Sequence, residues 1–211
     1  ACWNKKLKVL LIEKNDSLGK KLLITGGGRC NITNAEFDTR VLLSKYKKAE
    51  PFLFSPFNTF GVKDSLDFFL SKGLDTKVEN EKRAFPITER AQSVWDVLVE
   101  NLKENKVEIL SNSPVKKLEK EGGQITQAVL ENGEKIKAKK FIIATGGTSR
   151  PETGSTGDGF KWLKDLGHKV LDSDASLVPI SIKDSWVKKL SGVTHSDIKL
   201  SLFQDGEKQR V

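Results

Sequence analysis

The 211-residue sequence contains no methionine, two cysteines, two histidines and one tyrosine. Cys2 and Cys30 supply neither a disulfide framework nor a paired metal motif, and such sparse cysteine usage fits a reducing, cytoplasmic setting. His168 follows Gly167 just past a predicted helix end and His195 lies in a predicted loop, so both read as turn or surface residues. No Ser/His/Asp set and no metal-ligand spacing is indicated. There is no apolar run long enough to cross a bilayer and no signal-peptide pattern, so a membrane is not an expected partner. Methionine is missing even at position 1, and the chain opens almost directly onto a strand. The expectation is a piece of a longer chain or a naturally shortened protein.

What is present is an ordinary globular composition, 37% hydrophobic and 30% charged, enough to bury one core and begin a second. The formal net charge of +8 raises nucleic acid as a partner. The lysines, however, are scattered as pairs such as Lys20-Lys21 and Lys116-Lys117, near glutamates and without regular aromatic interleaving. They read as solvated faces, and a nucleic-acid module is the weaker alternative.

The stretch Thr25-Gly26-Gly27-Gly28-Arg29-Cys30-Asn31 follows shortly after the aliphatic run Val9-Leu10-Leu11-Ile12, which ends at Glu13. Consecutive glycines let backbone N–H groups approach a phosphate or a flat ring, and Arg29 offers a forked cation to an anion. The aliphatic run has the unbroken pattern of a parallel strand buried on both faces. An acid at the carboxyl end of such a strand is where a dinucleotide fold holds a ribose hydroxyl. The order is therefore strand, acid, basic turn, glycine loop. A glycine-rich turn without a ligand is the plainer alternative.

Further along, Phe141-Ile142-Ile143-Ala144-Thr145-Gly146-Gly147 reads as a buried strand ending in a sharp turn. Thr156-Gly157-Asp158-Gly159 opens a helix through Trp162 and Leu166, with Asp158 as a candidate cap. Between these signals, helices are expected over residues 37–49, ended by Pro51, over 64–70, and from a Thr88 cap through Ala91, Val94 and Leu98 to about 105. Short strands are expected over 75–85 and 107–110. A β-meander follows over 114–138, punctuated by Gly122-Gly123 and Asn132-Gly133. The phenylalanines at 52, 54, 57, 60, 68 and 69 read as a packing face rather than a cofactor stack.

The runs Leu11-Ile12-Glu13-Lys14-Asn15 and Leu18 to Asn31, with Ala144-Thr145-Gly146-Gly147 and Thr153 to Gly159, resemble the HI0933-like, or NAD(FAD)-utilizing dehydrogenase, family of bacterial three-domain flavoproteins. That resemblance implies an α/β fold related to glutathione-reductase-type FAD domains. Residues 1–178 would form an incomplete Rossmann-like FAD-binding domain, a parallel sheet plus meander lacking its first βα unit. Residues 179–211, entered through Leu177-Val178-Pro179-Ile180, would begin an inserted, mainly β substrate domain. It implies FAD as cofactor, with Glu13 on the ribose and Lys14, Gly19 and Lys20 in the basic turn. Thr25, Gly26, Gly27, Gly28, Arg29, Cys30 and Asn31 would line diphosphate and flavin, Val115 would meet the adenine through its backbone, and Thr145, Gly146 and Gly147 would close the site. The implied activity is an FAD-dependent oxidoreductase acting on a small organic molecule, an amine or an unsaturated carbon bond. A flavin-free remnant of the same fold is the alternative. Cys30 reads as a packing or cofactor-lining thiol in preference to a redox centre.

Overall fold

A computed structural model describes residues 7–171, 181–193, 199 and 201–209. The chain divides into two compact units, Ala1–Val170 and Leu171–Val211. Cys2, His195 and the run from Leu177 to Ile180 lie outside the described residues.

The aliphatic run forms β1 (Leu10–Ile12), and α1 (Lys20–Ile24) leads into a 3-10 turn, Thr25–Gly28. Then come β2 (Thr33–Asn34) and α2 (Thr39–Ser44), whose cap is Asp38, accepting from the N–H groups of Arg40 and Val41 at 2.9 and 3.1 Å. Pro51 does not end a helix here. It sits in the first turn of α3 (Glu50–Thr59), where a missing N–H costs nothing. The predicted single helix over 37–49 is accordingly shorter, and a new one begins where it was to stop.

α4 (Val62–Ser71), β3 (Thr76–Glu79), β4 (Arg83–Pro86), α5 (Ala91–Glu104) and β5 (Glu108–Leu110) follow at the places the patterning indicates. Thr88 is not the cap of α5. Arg90 occupies that position without a side-chain bond, and the Thr88 hydroxyl donates to Ser93 Oγ at 2.8 Å. The core joins Cys30, Phe69, Leu74, Ala91 and Val94, with Leu22, Leu23, Ile32 and Leu98 against it. Ala91, Val94 and Leu98 share one face of α5, as their three- and four-residue spacing requires. Of the aromatic run, Phe68 and Phe69 pack edge to face at 5.1 Å, whereas Phe52, Phe54 and Phe60 are exposed. The packing-face expectation therefore holds only for its C-terminal part.

β1 and β5 pair in parallel, Leu11 opposite Ile109, and the Glu13 N–H donates to Leu110 O at 2.9 Å. That last bond places Glu13 at the carboxyl edge of the pair. β4 lies between β2 and β3 in an antiparallel sheet. The meander β6 (Val115–Glu121), β7 (Gln124–Leu130) and β8 (Lys135–Lys137) forms a third sheet, turned at Gly122-Gly123.

The strand expected over 141–147 fails as well. Residues 141–147 form no strand, and Ile142 is 77% exposed. A buried strand needs a ladder partner for its N–H and C=O groups, and none of the described residues supplies one. Among those residues the parallel sheet consists of β1 and β5 alone. The first unit closes with α6 (Asp158–Asp165). In the second unit a 3-10 helix, Ser185–Leu190, precedes a hairpin of β9 (Leu202–Gln204) and β10 (Glu207–Gln209). No described helix is long and apolar enough to cross a membrane.

Candidate functional site

Glu13 leaves β1 with one carboxylate oxygen engaged. Oε1 accepts from the Asn15 backbone N–H at 2.8 Å and from Asn15 Nδ2 at 2.9 Å. Asn15 also donates to Thr153 O at 3.1 Å, and a Cβ on Gly154 would lie 2.7 Å from its Nδ2. The turn after β1 and the loop before α6 are thus in direct contact. Lys14 strengthens the join: its Nζ donates to Thr156 Oγ1 and pairs with Asp158 Oδ2, both at 2.7 Å. Lys21 donates to Ser149 O at 2.6 Å, from the same side.

Asp158 therefore does not cap α6. Gly157 stands at the cap position, and the Asp158 carboxylate turns to Lys14 and Thr156. Burial pushes its pKa up, but the Lys14 and Thr156 bonds outweigh that and hold it below the usual aspartate value. A lowered folded-state pKa contributes stability that is present above the unfolded value and is lost as the pH falls through the folded one. Asp158→Asn is expected to lower the melting temperature at pH 7 by about 2–4 °C, the equivalent of roughly 1 kcal/mol for a half-exposed pair. The wild-type advantage should vanish in acid below the aspartate range. Thermal melts of both proteins from about pH 2 to 7 check this.

The glycine run adopts left-handed backbone at Gly26 (φ +57°) and Gly27 (φ +67°). A Cβ on Gly26 would lie 2.8 Å from the Asn31 backbone nitrogen and 2.9 Å from Phe85 Cε1, so this glycine is required by packing. At Gly27 a Cβ would meet nothing within 4 Å, and Gly28 is nearly as open. The run thus has one face on the protein and one turned away from it. Thr25 caps nothing external; its hydroxyl donates back to Leu22 O at 2.7 Å. Asn31, with its amide nitrogen turned inward, donates to the carbonyls of Thr33 (3.0 Å) and Ala84 (3.2 Å).

Arg29 is engaged by protein. Its Nη1 donates to both Glu79 oxygens at 3.0 and 3.2 Å, and the guanidinium stands 4.0 Å over the Phe85 ring. Cys30 is buried in the core, and burial pushes its thiol pKa up, so the thiolate that redox chemistry needs is disfavoured. Gly19 is pressed on Trp95, whose indole donates to Leu18 O at 2.8 Å. Lys20 pairs with Asp16 one turn away. Thr145 meets α6: a Cβ on Gly159 would lie 2.5 Å from Thr145 Oγ1. Gly146 abuts the buried Ser155, and Gly147 accepts from the Gly157 N–H at 3.1 Å while leaving open space where a Cβ would stand. Val115 heads β6 opposite Leu130, with a register shift immediately after it.

The structure brings together Glu13, Lys14 and Gly146-Gly147 through the loop to α6. It ties the glycine run, Arg29 and Cys30 to β4 and the core. Asn15, Lys21, Ser155 and Glu79 carry contacts that the reading of the sequence did not assign. Asn15, Lys21 and Ser155 stood inside the motifs without a contact assigned to them; Glu79 stood outside them, and its partner Arg29 lies 50 residues away. The described residues contain no group of acidic, histidine or cysteine side chains arranged to hold a metal ion.

Comparison with known proteins places these features in a family. The model of the HI0933-like protein Rossmann domain matches residues 1–206. The chain is 32% identical over 196 residues to the 3-dehydro-bile acid delta(4,6)-reductase of Clostridium scindens, covering 92% of this chain and 46% of the relative. It is 30% identical over 183 residues to the ribosomal RNA dihydrouridine synthase of Escherichia coli, covering 87% and 44%. The chain thus spans about half the length of the curated relatives it matches. Among solved structures, L-amino acid deaminase from Proteus vulgaris matches at a TM-score of 0.35 and 18% identity, covering 68% of this chain and 48% of that one, a superposition too loose to inform fold or activity.

Proposed function

Since the chain belongs to the HI0933-like family, we propose that it is the FAD-binding portion of a flavin-dependent oxidoreductase that reduces a carbon–carbon double bond conjugated to a carbonyl. The observation that carries this reading is the junction at the carboxyl edge of β1, where Glu13, Asn15 and the Thr153–Asp158 loop converge. Ligands of open α/β sheets bind at such an edge.

The residues fit a dinucleotide. Asn15 engages only Oε1 of Glu13, leaving Oε2 to accept from a ribose hydroxyl. Gly27 and Gly147 each front open space that a side chain would fill, so ligand atoms can approach their backbone. Glu13 would hold the ribose, Gly27, Gly28 and Gly147 would line the diphosphate and ring, and Val115 would meet the adenine edge. Bound FAD would supply the hydride through its isoalloxazine ring. The chain's own residues orient and enclose; Lys14, paired with Asp158, keeps the loop before α6 against the turn after β1.

Reduction is preferred to amine oxidation because the two relatives are named for a bile acid delta(4,6)-reductase and a dihydrouridine synthase. A 4,6-unsaturated 3-dehydro-steroid and a uridine ring share a double bond in conjugation with a carbonyl. We take a small molecule as the substrate, with the RNA of the second relative as its competitor.

Titration with FAD, followed by the visible spectrum and the melting temperature, tests the cofactor reading. Saturable binding is expected, and Glu13→Ala should raise the Kd by about 10- to 100-fold, the worth of a hydrogen bond to a charged group. A folded protein that shows no saturable change supports the flavin-free scaffold instead.

A further inference from the structure

Arg29 is the residue that the sequence offers to an anion, yet its guanidinium is already engaged by protein at Nη1 and over one ring. Nη1 donates to both oxygens of Glu79 and stands 3.8 Å from a Glu89 oxygen. Lys77 completes the cluster, 3.2 Å from Glu79 and paired with Glu89. Two carboxylates thus face Nη1 of Arg29 and the Lys77 ammonium, so that edge of the guanidinium is committed to protein. The guanidinium lies 4.0 Å over Phe85, and that same ring is the wall that a Cβ on Gly26 would strike at 2.9 Å. The backbone around it is held as well: Cys30 N–H donates to Thr25 O at 3.0 Å and Ile32 N–H to Ala84 O at 2.8 Å.

We propose that Arg29 is a positioning residue and not a phosphate ligand: Glu79, with Lys77 and Glu89, clamps Arg29 on Phe85, and the ring fixes the left-handed glycine backbone on which the cofactor rests. The clamp rests on the flavin-binding reading above for its purpose, though not for its geometry. It brings Glu79, Lys77, Glu89 and Phe85 into the site as residues that touch no ligand. A phosphate-binding arginine and a clamped one predict opposite behaviour when the carboxylate is removed. Neutralising Glu79 would free a ligand arginine to bind its anion better, but would release a clamped arginine from the ring and loosen the glycine run.

The test compares wild type, Arg29→Ala, Glu79→Gln and the double variant. Two quantities are measured: the Kd for FAD, and amide hydrogen exchange over residues 26–31 without flavin. The clamp predicts that each single substitution weakens FAD binding by about tenfold, that the double is no worse than the poorer single, and that exchange over 26–31 is faster in both. FAD binding that is unchanged or tighter in Glu79→Gln, alongside a loss in Arg29→Ala, overturns it. Wild-type protein that binds no FAD sinks the flavin reading separately. The exchange data then decide the clamp alone, with faster exchange in Glu79→Gln sustaining it and unchanged exchange overturning it.

Discussion

Phe85→Ala is expected to lower the unfolding free energy of the first unit by about 3–5 kcal/mol. The ring is 1% exposed, on the central strand β4 of the sheet formed with β2 and β3. Truncation removes the transfer free energy of an aromatic side chain and leaves a cavity that the strands on either side can only partly close. It also takes away the face on which Arg29 stacks and the wall beside Gly26. Against a typical total of about 5–15 kcal/mol, that is a large share. Urea unfolding followed by circular dichroism measures it. Phe85→Leu should cost less than Phe85→Ala, since it leaves a smaller cavity to be closed. A loss under about 1 kcal/mol for the alanine variant would mean that the ring is not the packed element described here.

The second large effect separates two adjacent glycines. Gly26→Ala is expected to cost about 1–2 kcal/mol for forcing a side chain into left-handed backbone, and about 1–3 kcal/mol more for the crowding. The crowding arises because the new Cβ would press on the Asn31 backbone nitrogen, an atom that cannot rotate away as a side chain can. Gly27→Ala carries the same conformational cost, but its Cβ would meet nothing within 4 Å. Its stability loss should therefore stop at about 1–2 kcal/mol. If the open side of the run carries the flavin, Gly27→Ala should nonetheless abolish FAD binding in a protein that still folds. Thermal melts with and without FAD read both quantities from one set of samples. Equal stability losses at the two positions would show that the contacts of Gly26 do not matter energetically.

Sequence alone determined the elements whose signals are local. The aliphatic run of β1, the three- and four-residue spacing of α5 and the hairpin glycines of the meander each encode structure within a window of a few residues, because backbone torsion and the burial of one face are settled there. A turn at the glycine run was legible for the same reason, its left-handed backbone being found only in the fold, and the family was legible too, since its motifs are contiguous. Pro51 marked a helix boundary, although only the fold showed that the boundary was a beginning.

Tertiary structure alone decided which charges meet. Arg29 finds Glu79 across 50 residues and Lys14 finds Asp158 across 144, and no local pattern selects one carboxylate among 28 acidic side chains. It decided, too, that Cys30 is buried in the core, that Phe52 and Phe60 are exposed while Phe69 is not, and that residues 141–147 form no strand. A strand exists only with a neighbour, a buried residue only with a lid, and an ion pair only where the path of the chain brings two groups together. Propensity and spacing prepare each of these, and long-range packing chooses among them.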